Sequence, residues 1–188
     1  MNYNLQGKTV AVLITDGFEE VEFTQPVAAL KEAGAVVHVI SPQSDTVRAW
    51  DKDNWGNECV VDKNVSEAKA QDYNSLLLPG GVMNPDQLRT NQDAVKFVKA
   101  FFAAGKPIAA ICHAPQLLIE TGALEGRELT SYPSIKTDIE NAGAKWIDRE
   151  VIVDAGLVTS RTPDDIPAFN NKMLEEFEEG VHKEQMTV

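Results

Sequence analysis

Apolar positions along the chain fall into short runs with β-type spacing, separated by longer stretches with helical spacing. Lys8 to Ile14 is a mostly apolar, β-rich run, the pattern of a strand buried on both faces. Thr15-Asp16-Gly17 supplies turn chemistry after it. Glu19 to Ala33 follows with Phe23, Val27 and Leu30 on one helical face and Gly34 as the C-cap. Pro26 is expected to kink that helix or split it in two. Ala35 to Ile40 returns to strand, so residues 8–40 form one β-α-β unit with a right-handed crossover expected.

Arg48-Ala49-Trp50 and Glu58-Cys59-Val60-Val61 read as the arms of a small hairpin around polar Asp51-Lys52-Asp53-Asn54. Ser75 to Leu78 is a core strand that ends in Pro79-Gly80-Gly81. Pro85 to Arg89 is one helical turn, and Gln92 to Ala104 is a helix closed by Gly105. Within Gly105 to Leu118 an apolar run stops at Cys112-His113, and Pro115 opens a helix carrying Gln116 to Glu120. Leu129 to Ser131 reads as a short strand and Pro133 to Ala142 as a helix. Val151-Ile152-Val153 and Leu157-Val158-Thr159 flank Asp154-Ala155-Gly156, a hairpin signal. Asp164 to Gly180 is the last helix, and the tail from Val181 is expected to fray. The alternation predicts an α/β fold, a mostly parallel sheet between two layers of helices.

Composition narrows this picture. A chain of 188 residues, 43% hydrophobic, suits one domain over 1–188 with a sizeable core. No run approaches a membrane span. The net charge of -12, with no basic patch, makes nucleic acid and anionic membranes poor partners. Met1 to Gln6 is polar and lacks the apolar core of a signal peptide. The two cysteines, Cys59 and Cys112, are therefore expected to be free thiols in a reducing cytoplasm. The scattered histidines and cysteines show no metal-ligand spacing. His38 reads as core or edge packing, His182 as part of the tail, and Cys59 as structural.

Cys112 is the candidate reactive group. It sits where a buried strand turns sharply into a helix, an environment expected to lower a thiol pKa from its usual ~8.5. Gly80-Gly81 and the acids Glu19 and Glu22 follow two other strands, and in a parallel sheet those ends share one edge. Glu19 and Glu22 lie three apart on one helix surface, so spacing alone does not choose between them. Adjacent side chains at a turn diverge, so the sequence neighbours Cys112 and His113 are not by themselves a dyad.

Cys112-His113-Ala114-Pro115, Leu78-Pro79-Gly80-Gly81 and Asp16-Gly17-Phe18-Glu19-Glu20-Val21-Glu22 resemble the three motifs of the PfpI family. That family holds intracellular-protease-like and general stress proteins. It is grouped with the class I glutamine amidotransferases and the human parkinsonism-associated deglycase-like protein. Ser131 to Lys136, Asn141 to Ala144 and Ser160 to Asp165 resemble its later segments. One departure is Ala114, where the motif often has glycine.

The resemblance implies a flavodoxin-like, class I glutamine amidotransferase-like three-layer α/β/α sandwich. It also implies that Cys112 is a nucleophile, that the Gly81 and His113 amides are oxyanion donors, and that Glu22 is the acid at the sulfur. Glu19 is second choice. An acid from a neighbouring subunit, matched here by Asp86, would orient His113, and Tyr132 would lie near the site in a packing role. The implied activity is cofactor-free, glyoxalase- or deglycase-like handling of small reactive carbonyls by a stress-protective homodimer or higher homo-oligomer. Alternatives are a cysteine peptidase acting on peptides, or a redox sensor or chaperone with an oxidisable Cys112.

Overall fold

A computed structural model describes residues 3–185. Its frame is a seven-stranded sheet built from β1 (Thr9–Leu13), β3 (Val36–Ser41), β6 (Lys63–Asn64), β7 (Ser75–Leu78), β8 (Ile108–Ile111), β11 (Ile152–Asp154) and β12 (Leu157–Ser160). The spatial order is β11-β12-β8-β7-β1-β3-β6, parallel throughout except for β11 against β12. Strand side chains alternate between faces, and the strands exploit this with apolar residues at both parities. Val10, Val12, Leu77, Ala109, Ile111 and Val158 join one core cluster; Ala11, Leu13, Leu76, Leu78, Ile108 and Ala110 join the other.

Helices cover both faces. On the first lie α1 (Glu20–Glu32), through Val27 and Leu30, and α6 (Ile166–Glu179), through Phe169, Met173 and Phe177. On the second lie α2 (Met83–Thr90), α3 (Gln92–Ala103), α4 (Pro115–Ile119) and α5 (Lys136–Asn141), through Leu88, Phe101, Phe102, Leu117 and Ile139. The result is a three-layer α/β/α sandwich. Beyond the sheet, β2 (Phe18–Glu19) pairs parallel with β4 (Thr46–Asp51), which forms a hairpin with β5 (Asn54–Val60). A second small sheet joins β9 (Glu128–Leu129) to β10 (Lys145–Trp146).

Several elements differ from the sequence expectation. Pro26 does not split α1, which runs unbroken from Glu20 to Glu32. It withholds only the N–H that would have bonded the Glu22 carbonyl, and buried Val27 and Leu30 anchor the helix just beyond it. Glu19 lies in β2, ahead of the helix. Met83–Thr90 is a full eight-residue helix, longer than the turn expected from Pro85. Pro133 opens a separate 3-10 turn, Pro133–Ile135, before α5. The hairpin arms are longer than expected, and Trp50 and Trp55 pair across them, edge to face at 5.5 Å.

The tail from Val181 is ordered as far as it is described. Gln185 is fully buried, the Gln185 carbonyl accepts from Arg127 Nη2 at 2.9 Å, and the His182 amide donates to the Gly105 carbonyl at 2.7 Å. Residues 186–188 of that tail lie outside the described residues. Among the described residues, no helix is long and apolar enough to cross a membrane.

Candidate active site

The carboxyl ends of β1, β7 and β8 lie side by side, and the segments that follow them meet at Cys112. Cys112 leaves β8 with φ +64°, a left-handed conformation that most L-residues avoid. This is the geometry of a nucleophile elbow. The elbow is held by the Cys112 amide donating to the Ser160 carbonyl at 3.0 Å and by its carbonyl accepting from the Tyr132 amide at 2.8 Å. The side chain is only 7% exposed.

The glycines after β7 are demanded by this crowding. A Cβ on Gly80 would stand 2.6 Å from Glu22 Oε2, 2.6 Å from the Ile111 carbonyl oxygen and 2.7 Å from Cys112 Cβ. Gly81, at φ +83°, has the Gly17 carbonyl oxygen 2.5 Å from where its Cβ would be. With no side chains in the way, the Gly81 amide reaches the Cys112 sulfur, as does the His113 amide. Asn84 locks the turn from beneath. Fully buried, it accepts from the Thr15 amide at 2.8 Å and donates to the Pro79 and Gly80 carbonyls at 2.8 and 3.1 Å.

The structure separates Glu22 from Glu19. Glu22 is fully buried, its Oε2 accepts from the Gly80 amide at 3.0 Å, and its carboxyl meets the Cys112 thiol. Glu19 is only partly buried and lies on the wall of the adjoining cavity. Burial pushes the Glu22 carboxyl up to about 8, against the pull of the thiol and the glycine amides. At neutral pH it therefore keeps its proton. Oε2 already accepts from Gly80, while buried Oε1 has no hydrogen-bond partner among the described residues, so the retained proton is assigned to Oε1. Glu19 is raised too, by partial burial and then by the nearby charges of Asp51 and Glu20.

Cys112 departs from the sequence expectation. Burial, and next the Glu22 charge, push the thiol up, while the Gly81 and His113 amides pull it down. The expected lowering assumed a substantial helix, but α4 has only five residues, and the sulfur is desolvated. A neutral Glu22 removes the repulsive part of that shift.

His113, which its place beside Cys112 in the sequence did not oblige to touch the thiol, does meet it. Its Nδ1 stands 3.2 Å from Sγ. Nε2 lies 3.0 Å from Ser134 Oγ, and Tyr132 stacks on the ring at 4.4 Å and 22°. Burial lowers the His113 pKa, so the ring is neutral. Ser134 carried no role in the sequence reading. Asp86 is exposed on α2 and makes no hydrogen bond or ion pair among the described residues.

A cavity of about 570 Å³ opens onto the sulfur. Gly17, Trp50, Val82, Met83, Tyr132 and Pro163 give it a largely apolar wall, with Lys52 and Glu19 as charged groups beside them. None of Trp50, Lys52, Met83 and Pro163 was expected there; the hairpin brings the first two in through the Glu19↔Trp50 pairing of β2 with β4. A slightly larger cleft, about 600 Å³, lies among Tyr3, Asn4, Glu32 and Leu174 and has no cysteine or histidine among its described lining residues. Cys59 lies on β5 with its thiol pushed up by burial and by Asp62. His38 packs edge to face on Tyr73 at 5.8 Å. His182 pairs with Glu176 at 3.2 Å and, with Glu179, forms a His/Glu cluster that sequence spacing did not reveal.

Residues 8–176 match the DJ-1/PfpI family. The chain belongs to that family. Its DJ-1/PfpI relatives include two from Bacillus subtilis, general stress protein 18 (48% identical over 170 residues, 89% of this chain and 96% of the relative) and putative cysteine protease YraA (45% over 167 residues, 89% and 96%). Protein/nucleic acid deglycase 2 of Escherichia coli is 46% identical over 169 residues, again 89% and 96%. Three DJ-1/PfpI chains of similar distance thus bear three different functional names.

The buried acid makes stability depend on pH. The Glu22 pKa is raised on folding, so its contribution is fully present below the unfolded carboxylate value of about 4.5 and is lost as pH rises through about 8. Urea melts of wild type and Glu22→Gln from pH 4.5 to 9 should therefore diverge. The wild type should lose on the order of a few kcal/mol relative to the variant across that window. Parallel curves would mean that Glu22 ionises normally.

Proposed function

We propose that the protein is a stress-protective, cysteine-dependent enzyme that acts on small reactive carbonyls or the glycated groups they form. The observation that carries this reading is a buried thiol in contact with a carboxyl that titrates near neutrality, at the foot of a small apolar cavity. A carboxyl with pKa close to the working pH gives up and recovers a proton with comparable ease, as a shuttle requires. Relatives named deglycase and general stress protein support the same reading.

For a 2-oxoaldehyde such as methylglyoxal, the Cys112 sulfur adds to the aldehyde carbon, and the thiol proton ends on the former carbonyl oxygen as a hemithioacetal. Glu22 gives its proton to the neighbouring carbonyl oxygen as it takes one from that carbon, forming an enediol; it then delivers that proton to the neighbouring carbon and takes back the hydroxyl proton of the first, which converts the adduct to a 2-hydroxy thioester. Water then cleaves the C–S bond, releasing the 2-hydroxy acid and restoring the thiol. The Gly81 and His113 amides, aimed at the sulfur, stand where the oxygen of the adduct gains charge. No electrons are exchanged with a cofactor; the dicarbonyl is its own oxidant and reductant.

The test is glutathione-independent consumption of methylglyoxal with matching formation of lactate. Glu22→Gln keeps the amide-facing oxygen but cannot shuttle a proton. Its kcat should fall by roughly 10²- to 10⁴-fold while Cys112 remains open to alkylation. Full kcat in that variant would remove Glu22 from the mechanism.

The 3.2 Å Sγ···Nδ1 contact also favours a second reading, a cysteine peptidase with His113 as base. In that case His113→Asn would abolish cleavage of a casein substrate. Methylglyoxal turnover without any peptide cleavage decides for the first reading.

A further inference from the structure

His113 is held on three sides by groups of its own chain: the sulfur at Nδ1, the Ser134 hydroxyl at Nε2, and the stacked Tyr132 ring. Ser134 reaches it because of the backbone. The Tyr132 amide donates to the Cys112 carbonyl, and Pro133 immediately opens the 3-10 turn that carries Ser134. The turn is thereby registered against the elbow itself, and the hydroxyl arrives 21 residues away in sequence yet 3.0 Å away in space.

The surroundings of the sulfur decide which ring nitrogen bears the proton. Neutral imidazole has one donor and one acceptor. The Gly81 and His113 amides approach the sulfur and can only donate, and the neighbouring Glu22 carboxyl keeps its own proton, with Oε2 already accepting from Gly80. The thiol hydrogen therefore needs an acceptor, and Nδ1 at 3.2 Å is the one in place. With Nδ1 bare, the ring proton sits on Nε2 and Ser134 Oγ accepts it.

We propose that Ser134 is a positioning residue. By accepting Nε2–H it holds His113 in the tautomer whose Nδ1 takes the thiol proton, and so fills within one chain the role that the family resemblance gives to an acid from a neighbouring subunit. When the thiol adds to a carbonyl, the S–H bond breaks, the proton moves to Nδ1 and the S–C bond forms. The imidazolium returns that proton to the new alkoxide, and the ring is neutral again. A hydroxyl, unlike a carboxylate, adds no charge to stabilise the imidazolium. His113 is accordingly a transient proton carrier and not half of a standing ion pair. The proposal rests on Cys112 being the reacting thiol and does not depend on which substrate it meets.

The experiment is alkylation of Cys112 by iodoacetamide across pH in the full chain, together with ¹⁵N spectra of the three histidine rings. Ser134→Ala should slow alkylation near neutral pH by about two- to tenfold, the worth of one lost hydrogen bond. It should also move the His113 pattern from a single Nε2–H tautomer to a mixture. Ser134→Thr should restore both. In a His113→Asn background, Ser134→Ala should add nothing, as expected of a residue acting through another. A wild-type tautomer and alkylation profile in Ser134→Ala would overturn the proposal, as would a further slowing on top of His113→Asn. A shift produced by Asp86→Asn and not by Ser134→Ala would assign the role to the partner's acid. If methylglyoxal is not consumed while these alkylation differences hold, the carbonyl reading fails and the Ser134 assignment stands.

Discussion

Cys112→Ala should reduce methylglyoxal consumption to the rate in buffer, a loss on the order of 10³-fold or more, the scale of a removed nucleophile. The replacement is well suited to the question. It keeps a Cβ at φ +64°, so the elbow is no more strained than before, and it removes only the sulfur of a buried residue. Folding can be followed separately by thermal melting, which should change little beyond the loss of one small buried group. Glu22, no longer facing a thiol, retains its Gly80 hydrogen bond. Activity that survives unchanged would sink the carbonyl and the peptidase readings together, since both begin with the same bond to sulfur. A sensor behaves differently: mass increases at Cys112 under dilute peroxide, with negligible turnover of either substrate class.

Gly81→Ala should be the most damaging single substitution for stability near the site. Two separate penalties meet there. An alanine at φ +83° carries about 1–2 kcal/mol of left-handed backbone strain. Its Cβ would also stand 2.5 Å from the Gly17 carbonyl oxygen and 2.8 Å from the Glu19 nitrogen, both backbone atoms that cannot swing aside. Overpacking of that kind adds about 1–3 kcal/mol. The sum, roughly 2–5 kcal/mol, corresponds to about 5–15 °C in Tm for a chain of this size. Gly122→Ala provides the comparison, because Gly122 has φ +73° with nothing within 4 Å of its missing Cβ. It should show the backbone penalty alone. Equal shifts in the two variants would mean that the β7 turn relaxes away from β2, and the sulfur would then lose its Gly81 donor without a stability cost.

The order of strands and helices was legible because each core strand is a short apolar run closed by polar or turn-forming residues. The meeting of Gly80, Gly81, Cys112 and one of the two acids followed from parallel strands sharing their carboxyl edge; Glu22 was preferred over Glu19 on the family resemblance alone. What stayed hidden depends on contacts between distant segments. Pro26 carries a breaking signal, yet packing of Val27 and Leu30 overrides it. The tail after Val181 is polar and looks loose, but a buried Arg127 and the Gly105 carbonyl tie it down. Cys112 looked like a helix-activated thiol, and only the three-dimensional burial reverses the sign. Ser134 has no signal at all in the sequence: a serine after proline is ordinary turn chemistry until the turn is seen to lie against His113. Two-residue strands such as β2 are too short for any periodicity, and β2 is what brings Trp50 and Lys52 to the cavity.

The elbow at Cys112 sets stability and chemistry against one another at a single residue. Glycine would adopt φ +64° freely, so a side chain at that position leaves the fold about 1–2 kcal/mol less stable than the backbone alone would allow. That strain falls on the residue whose sulfur opens onto the cavity, so relieving it with glycine would also remove the thiol.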